Sequence, residues 1–217
     1  PLLSFLLLGG KSRCCGKTIG RNHFWAESIA LLYALLFVSV LLQQQLLLVM
    51  PAWQLAFYFL FYLTLIFVVI ADLRYLLVPD FLIAFLLVLV VTNLVLSFQQ
   101  GLLPLSAWPN LLAALLFALV FFLTLYVLAK HWLKKEALGW GDIKLMLPLA
   151  LFLSWPAVLL AIFLSFIIGG FFAMLVLVIG KKKWGQALPF APFLVLGSLL
   201  TSFWGEEIWR WYLTFLL

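Results

Sequence analysis

Long apolar runs constrain the fold of this chain more than any other feature of its sequence. Stretches near or above the roughly 18–20 residues that cross a hydrocarbon core recur along most of its length. Of its 217 residues, 68% are hydrophobic and 9% are charged, whereas a soluble domain has about one-quarter charged residues. The sequence therefore predicts an all-α, polytopic integral membrane protein.

The apolar runs predict one helix bundle with about seven transmembrane helices, and they leave an eighth short span open. Residues 1–23 would form a cytoplasmic N-terminal segment and residues 24–217 the transmembrane domain. The predicted spans are 24–50, 53–71, 81–98, 111–132, 145–154, 156–179 and 189–204.

Lys and Arg residues cluster at alternate joints between these runs, and Arg210 is the exception. Because short cytoplasmic loops hold the positive residues, this pattern places residues 1–23 and the loops 72–80, 130–144 and 180–188 in the cytoplasm. Topology thus explains the net charge of +6, and no nucleic-acid partner is predicted.

One run is too short to cross a membrane. As a helix, 145–154 would be about 15 Å long, whereas the hydrocarbon core is about 30 Å thick. The span must therefore begin earlier, near residues 138–141. That start draws Asp142 and Lys144 into the cytoplasmic leaflet.

Asp72 and Asp142 are the candidate catalytic residues. Asp72 closes an apolar run, Asp142 follows two glycines, and both are predicted at the same cytoplasmic level. Acids at membrane depth are costly and usually functional. Two neighbouring carboxyls share a proton, so one can activate water while the other polarises a scissile carbonyl. The simpler alternative pairs Asp72 with Arg74 and Asp142 with Lys144.

Gly139 and Gly141 flank Trp140 immediately before Asp142. Glycine allows the backbone to bend and to approach another chain closely, as an extended peptide substrate requires. Small-residue packing between helices is the alternative explanation.

Three segments together resemble the signature regions of the type IV prepilin peptidases, in the same order and spacing among membrane spans. They are DLRYLLVPDFL at 72–82, GWGDIKLM at 139–146 and LPFAPFLVLG at 188–197. The opening residues also resemble the family's cytoplasmic segment, so the likeness covers essentially the whole chain.

The resemblance implies that Asp72 and Asp142 form the pair of a GxGD-type intramembrane aspartic protease, supported by Gly139, Gly141 and Lys144. It implies cleavage of the basic leader of type IV prepilins or pseudopilins at the cytoplasmic face of the bacterial inner membrane, in pilus assembly, type II secretion or DNA uptake. Proteolysis needs no cofactor. The family often also methylates the new N-terminus from S-adenosylmethionine, and the sequence leaves that activity open.

Two departures from the family pattern lead to further expectations. Ser12 stands where one of four zinc-binding cysteines is expected, and Cys14 and Cys15 cannot supply four ligands, so no structural zinc is predicted. Asp80 occupies a position that is more often Asn, and a helix start after Pro79 explains it. Glu27 receives no role.

A proton-coupled secondary transporter with buried carboxylates is the alternative from another class. Paired halves with matching broken helices would favour it, and the sequence shows no such repeat. An inactive pilus-assembly partner would not need both aspartates. A presenilin-like protease would not account for the segments at 72–82 and 188–197.

Overall fold

The structure is a computed structural model that describes residues 51–133, 139–179 and 188–216. In these residues the chain forms α-helices and no strand, which confirms the predicted all-α class. The helices are α1 Ala52–Tyr75, α2 Asp80–Gln99, α3 Trp108–Leu133, α4 Trp140–Leu153, α5 Ala157–Val178 and α6 Ala191–Leu216. A 3-10 helix, Leu105–Ala107, precedes α3.

Four segments are long and apolar enough to cross a membrane, judged by length and composition. They are Ala52–Tyr75, Asp80–Gln99, Leu105–Trp132 and Ala157–Val178. Each coincides with a predicted span, and the protein is accordingly a multi-pass membrane protein. The predicted span 24–50 and the predicted boundary at residues 23 and 24 lie outside the described residues, so a total of seven spans stays a prediction.

The chain divides into two compact units, Pro1–Phe59 and Leu60–Leu217. Residues 51–59 are the described part of the first unit, and they contain the start of α1. The candidate site lies entirely within the second unit.

Helix α4 packs against every other α-helix of the described residues. It contacts α2, α3, α5 and α6, and the rings of Phe61 on α1 and Phe152 on α4 lie 4.3 Å apart. Its 14 residues make about 21 Å of helix, which is shorter than the hydrocarbon core. A short helix is tolerated at membrane depth because protein, and not lipid, surrounds it.

Helix α4 begins at Trp140, with Gly139 as its N-cap residue. The start lies within the predicted range 138–141, and that this helix crosses the membrane stays a prediction. Pro148 lies inside the helix and cannot donate a backbone hydrogen bond to Lys144, one turn earlier.

Helix α6 extends beyond the predicted span 189–204 and continues to Leu216. The helix is thus longer than the predicted apolar span, and the span's end at Trp204 stays a prediction. Glu206, Glu207 and Arg210 lie on the continuing helix, and Arg210 forms an ion pair with Glu206 one turn away, at 3.6 Å. Glu206, Glu207 and Arg210 have high helix propensity and favour the continuation past Gly205.

Candidate active site

Asp72 lies on the buried stripe of α1. Phe61, Leu65 and Val68 are almost fully buried, and Asp72 follows them at the same helical spacing with 5% of its surface exposed. Residues four and three positions apart share one face of a helix, so the fold directs this carboxyl into the protein. Its position in the last turn of α1 is unfavourable for an anion, because carbonyl groups end the helix there.

The N-terminus of α6 compensates for that position. The backbone N–H of Ala191, the first residue of α6, donates to Oδ2 of Asp72 at 3.1 Å. The N–H groups of a first turn have no partner within their own helix, and Pro192 has no N–H to offer. The start of α6 therefore provides a backbone donor and the positive end of a helix dipole to Asp72.

Asp142 lies in the first turn of α4 and is also buried, with 7% of its surface exposed. The N–H of Gly139 donates to its Oδ2 at 3.3 Å, and the N–H of Asp142 donates to the Gly139 carbonyl at 3.1 Å. Each of the two candidate carboxyls thus accepts a backbone N–H and lies at a helix N-terminus, one at α4 and the other at α6.

The fold brings the two carboxyls together from separate helices. They are close enough to interact electrostatically, although they are far apart in sequence. Carboxyls that couple strongly titrate as a pair, and one proton can then be shared between them. Such a pair can accept a proton from water and donate a hydrogen bond to a carbonyl group in the same step.

Both glycines before Asp142 stand where a side chain would meet close neighbours. A Cβ atom on Gly141 would lie 3.0 Å from Cβ and 3.1 Å from Cγ2 of Val78, and one on Gly139 would lie 3.3 Å from Oδ2 of Asp142. These distances are tighter than ordinary van der Waals contacts. At Gly141 the close approach joins the glycine segment to the loop that follows Asp72.

Lys144 pairs with Asp80 and not with Asp142. Its Nζ lies 2.7 Å from Oδ1 of Asp80, across 64 positions of sequence. In the described residues no ion pair joins Arg74 to Asp72. The alternative explanation, in which a basic partner within two residues neutralises each aspartate, is therefore wrong in this structure.

The sequence reasoning missed the backbone donor at Ala191. Pro189 and Pro192 lie at the start of α6, with Phe190 and Phe193 beside them. The two phenylalanines pack against rings of α5: Phe190 lies 5.1 Å from Phe166, and Phe193 lies 5.3 Å from Phe172. Pro192 was the available signal in the sequence. Because proline favours the first turn of a helix, it indicates that the N–H of Ala191 lies at a helix N-terminus, without a partner in its own helix.

Metal ligands do not gather in the part of the chain that the structure describes. No group of three His, Cys, Asp or Glu side chains is placed as a metal ion would require there. The expectation about zinc concerns Cys14 and Cys15, which lie outside the described residues, and it stays a prediction.

The profile of the type IV leader peptidase family matches residues 59–174. This range contains both aspartates, both glycines and Lys144, and it ends before Ala191.

Curated proteins named "Prepilin leader peptidase/N-methyltransferase" match along the chain. One from Aeromonas salmonicida is 31% identical over 217 residues, which is all of this chain and 70% of the relative. One from Bacillus subtilis is 30% identical and covers 98% of this chain and 78% of the relative. One from Pseudomonas aeruginosa is 29% identical, over 99% and 69%. No solved structure matches significantly.

The family profile covers more than half of this chain, and relatives of 30–31% identity match almost all of it. The chain belongs to the type IV leader peptidase family.

Proposed function

We propose that this protein cleaves the basic leader of type IV prepilins or pseudopilins, with Asp72 and Asp142 as its catalytic pair. The observation that carries the proposal is the placement of two buried, interacting carboxyls on different helices, each facing a helix N-terminus. Gly139, Gly141 and Lys144 support that pair. Residues 24–217 would form the peptidase domain and residues 1–23 a cytoplasmic segment.

The chemistry follows from the protonation of the pair. The ionised carboxyl takes a proton from a water molecule while the oxygen of that water attacks the scissile carbonyl carbon. The protonated carboxyl gives its proton to the carbonyl oxygen. The resulting tetrahedral diol then collapses: the carboxyl that took the proton from water gives it to the leaving nitrogen, and the C–N bond breaks. One diol hydroxyl returns a proton to the other carboxyl, which leaves a free amine, a carboxylic acid and the pair in its starting protonation state. Burial strengthens each of these interactions because the local dielectric is low.

Topology supports the choice of substrate. Arg74 lies in the last turn of α1, beside Asp72, and Lys130 in the last turn of α3, shortly before α4 begins. Positive residues favour the cytoplasm, and the basic leader of a prepilin stays there for the same reason. The junction between leader and hydrophobic helix would thus meet the aspartates at one depth of the inner membrane.

Co-expression with a prepilin in a bacterium that lacks its own prepilin peptidase tests this function. The wild type should convert the prepilin to its mature size, and Asp72→Asn and Asp142→Asn should each abolish the conversion. Glu206→Gln is the matched control, since it removes an exposed acid outside the site. Mature pilin in either aspartate variant would refute the mechanism. Proton or solute movement in vesicles without any cleavage would favour the transporter alternative.

N-methylation is a second candidate activity, and the names of the relatives favour it. S-adenosylmethionine would supply the methyl group to the new terminal amine. The proposal assigns no residue of this chain to that donor. A mature pilin N-terminus heavier by one methyl group, found by mass spectrometry after co-expression with the wild type, would establish the activity, and an unmodified terminus would exclude it for that pilin.

A further inference from the structure

The segment Leu76–Asp80, which we term the strap, connects the helix of Asp72 to α2. Leu76 has a left-handed backbone with φ of 52°, and its N–H donates to the carbonyl of Asp72 at 2.9 Å. This is the conformation with which glycine commonly ends a helix, and it costs free energy when leucine adopts it. The fold therefore maintains a strained turn directly after Asp72.

Val78 fixes the middle of the strap against α4. It is buried, and its side chain leaves no room for a Cβ atom on Gly141. A Cβ atom on Gly141 would also lie 3.5 Å from the backbone N of Val78. The strap and the first turn of α4 are thus in backbone-level contact immediately before Asp142.

Asp80 fixes the end of the strap to the same helix. Its Oδ1 accepts a hydrogen bond from Nζ of Lys144 at 2.7 Å, and the two groups form an ion pair. Gly141 and Lys144 are three positions apart, so Val78 and Asp80 hold neighbouring points on one face of α4. Two contacts on one face restrain the helix from sliding and from turning.

We propose that the strap sets the separation of the Asp72 and Asp142 carboxyls, with Val78 and Asp80 as positioning residues. This inference rests on the proposed function. Asp72 is bonded through its carbonyl to the start of the strap, and Asp142 lies between the two points of α4 that the strap holds. A shift of the strap on α4 would change the geometry of the pair without touching either carboxyl.

The positioning role of the ion pair between Asp80 and Lys144 can be tested with variants that should remain folded. The side chains of Asp80 and Lys144 are 75% and 46% exposed, and an exposed ion pair adds little to stability. A positioning role instead predicts that Asp80→Asn and Lys144→Gln lower kcat for prepilin cleavage about 10-fold with KM nearly unchanged. The charge swap Asp80→Lys with Lys144→Asp should recover part of the loss, although lysine at the start of α2 opposes the helix dipole.

Glu206→Gln is the matched control, because it breaks another exposed ion pair outside the site. It should leave kcat unchanged. All rates are taken per folded enzyme, with the folded fraction measured by thermal unfolding in detergent. Wild-type kcat in Asp80→Asn and Lys144→Gln would overturn the inference, as would a loss that follows the folded fraction alone.

The contact between Val78 and Gly141 gives a second, independent test. Gly141→Ala should lower kcat about 10-fold, because Val78 must give way by a few tenths of an ångström, whereas a displacement near 1 Å costs about 100-fold. Adding Val78→Gly removes the atoms that the new methyl group meets and should restore much of the rate. Gly170→Ala is the control, because a Cβ there meets nothing within 4 Å. A folded Gly141→Ala enzyme that Val78→Gly does not rescue would contradict the proposal.

A cross-link tests the placement of the strap against α4 independently of catalytic activity. With Cys14 and Cys15 replaced by Ser, the pair Val78→Cys and Gly141→Cys should form a disulfide on oxidation. Their Cβ atoms would lie 3.0 Å apart, so the two segments need to separate only slightly to reach the roughly 3.5–4.5 Å of a disulfide. Failure to cross-link would overturn the placement whatever the activity. All the kinetic variants of this subsection keep Asp72 and Asp142. The two failures can therefore be told apart: a wild type that does not cleave prepilin refutes the proposed function, whereas unaltered kcat in the variants refutes the role of the strap.

Discussion

Ala191 donates its backbone N–H to the carboxylate of Asp72 across 119 positions of sequence, with N and Oδ2 3.1 Å apart. The last helix of the chain is therefore part of the candidate site, even though the family profile ends at residue 174. The contact gives a physical reason for the third signature segment, at 188–197. This segment supplies the N–H of Ala191, which donates to Asp72 of the first signature segment.

Ala191→Pro removes this donor, and its Cδ atom takes the place of the hydrogen that points to Asp72, so the carboxylate must also move away. Proline is favoured at the first helical position, and the carbonyl of Phe190 before it accepts the first hydrogen bonds of the helix. A hydrogen bond to a charged group contributes about 1.5–3 kcal/mol. We expect prepilin cleavage to slow on the order of 10- to 100-fold, measured as kcat per folded enzyme.

Ala191→Gly is the control for that change, because it retains the N–H group and removes only a methyl group. It should cleave at a rate within a few-fold of the wild type. Equal activity in Ala191→Pro and Ala191→Gly would mean that the hydrogen bond to Asp72 does not contribute to catalysis.

The two glycines before Asp142 should differ in their tolerance of alanine. A Cβ on Gly139 would meet the terminal Oδ2 of Asp142 at 3.3 Å, whereas one on Gly141 would meet the Cβ of Val78 at 3.0 Å. A carboxylate can turn about its side-chain bonds, but a Cβ atom moves only with its backbone. Gly139 also has φ of −75°, which alanine adopts without strain.

We therefore expect Gly139→Ala to retain more activity than Gly141→Ala, by a factor of about 10 when kcat is compared. Both enzymes should have similar melting temperatures in detergent, because the changed positions lie at a helix end. The reverse order of activities would show that the contact with Val78 is not the tighter constraint.

The sequence predicted Asp142 better than it predicted Asp72. A run too short to cross a bilayer required α4 to start near residues 138–141, and the helix starts at Trp140. Nothing in the sequence showed which side of α1 faces inward, because almost every neighbour of Asp72 on that helix is apolar. In a membrane helix both the lipid-facing and the buried sides are apolar, so hydrophobic periodicity is lost.

Contacts between distant segments could not be predicted from one sequence. Lys144 is two residues from Asp142 in the sequence, yet it pairs with Asp80 at 2.7 Å. Side chains two positions apart on a helix point in different directions, which is the physical reason that the local pairing does not form. The bond from Ala191 to Asp72 likewise depends on how α6 packs against α1, and no local pattern encodes it.

Helices α5 and α6 pack most extensively, and Gly197 allows their close approach. A Cβ at this position would collide with Oγ of Ser165 and would lie 2.5 Å from the carbonyl O of Ala161. Backbone atoms cannot move aside as a side chain can, so Gly197→Ala should force the helices apart. We expect a loss of about 1–3 kcal/mol in the free energy of unfolding, seen as a lower melting temperature in detergent.

Gly170→Ala is the matched control on α5, since nothing lies within 4 Å of its Cβ. Alanine favours a helix over glycine, so this variant should be as stable as the wild type or slightly more stable. A Gly197→Ala protein that melts at the same temperature as Gly170→Ala would show that the two helices are not so closely packed.

Thr201 and Thr64 make a pair of equally buried hydroxyls with different partners. Each residue is 5% exposed. Oγ1 of Thr64 donates to the carbonyl of Leu60 at 2.7 Å, whereas Oγ1 of Thr201 has no hydrogen-bond partner among the described residues. A buried polar group without a partner loses its hydration and gains nothing in return. Valine has nearly the same shape and no hydroxyl, so Thr201→Val should raise the free energy of unfolding by about 1 kcal/mol.

Thr64→Val should instead leave stability unchanged or lower it by up to about 1 kcal/mol, because it removes a formed hydrogen bond. Thermal unfolding of both variants in the same detergent compares them directly. A lower melting temperature for Thr201→Val than for Thr64→Val would show that the Thr201 hydroxyl has a partner in the membrane-embedded protein, such as a bound water molecule between the helices.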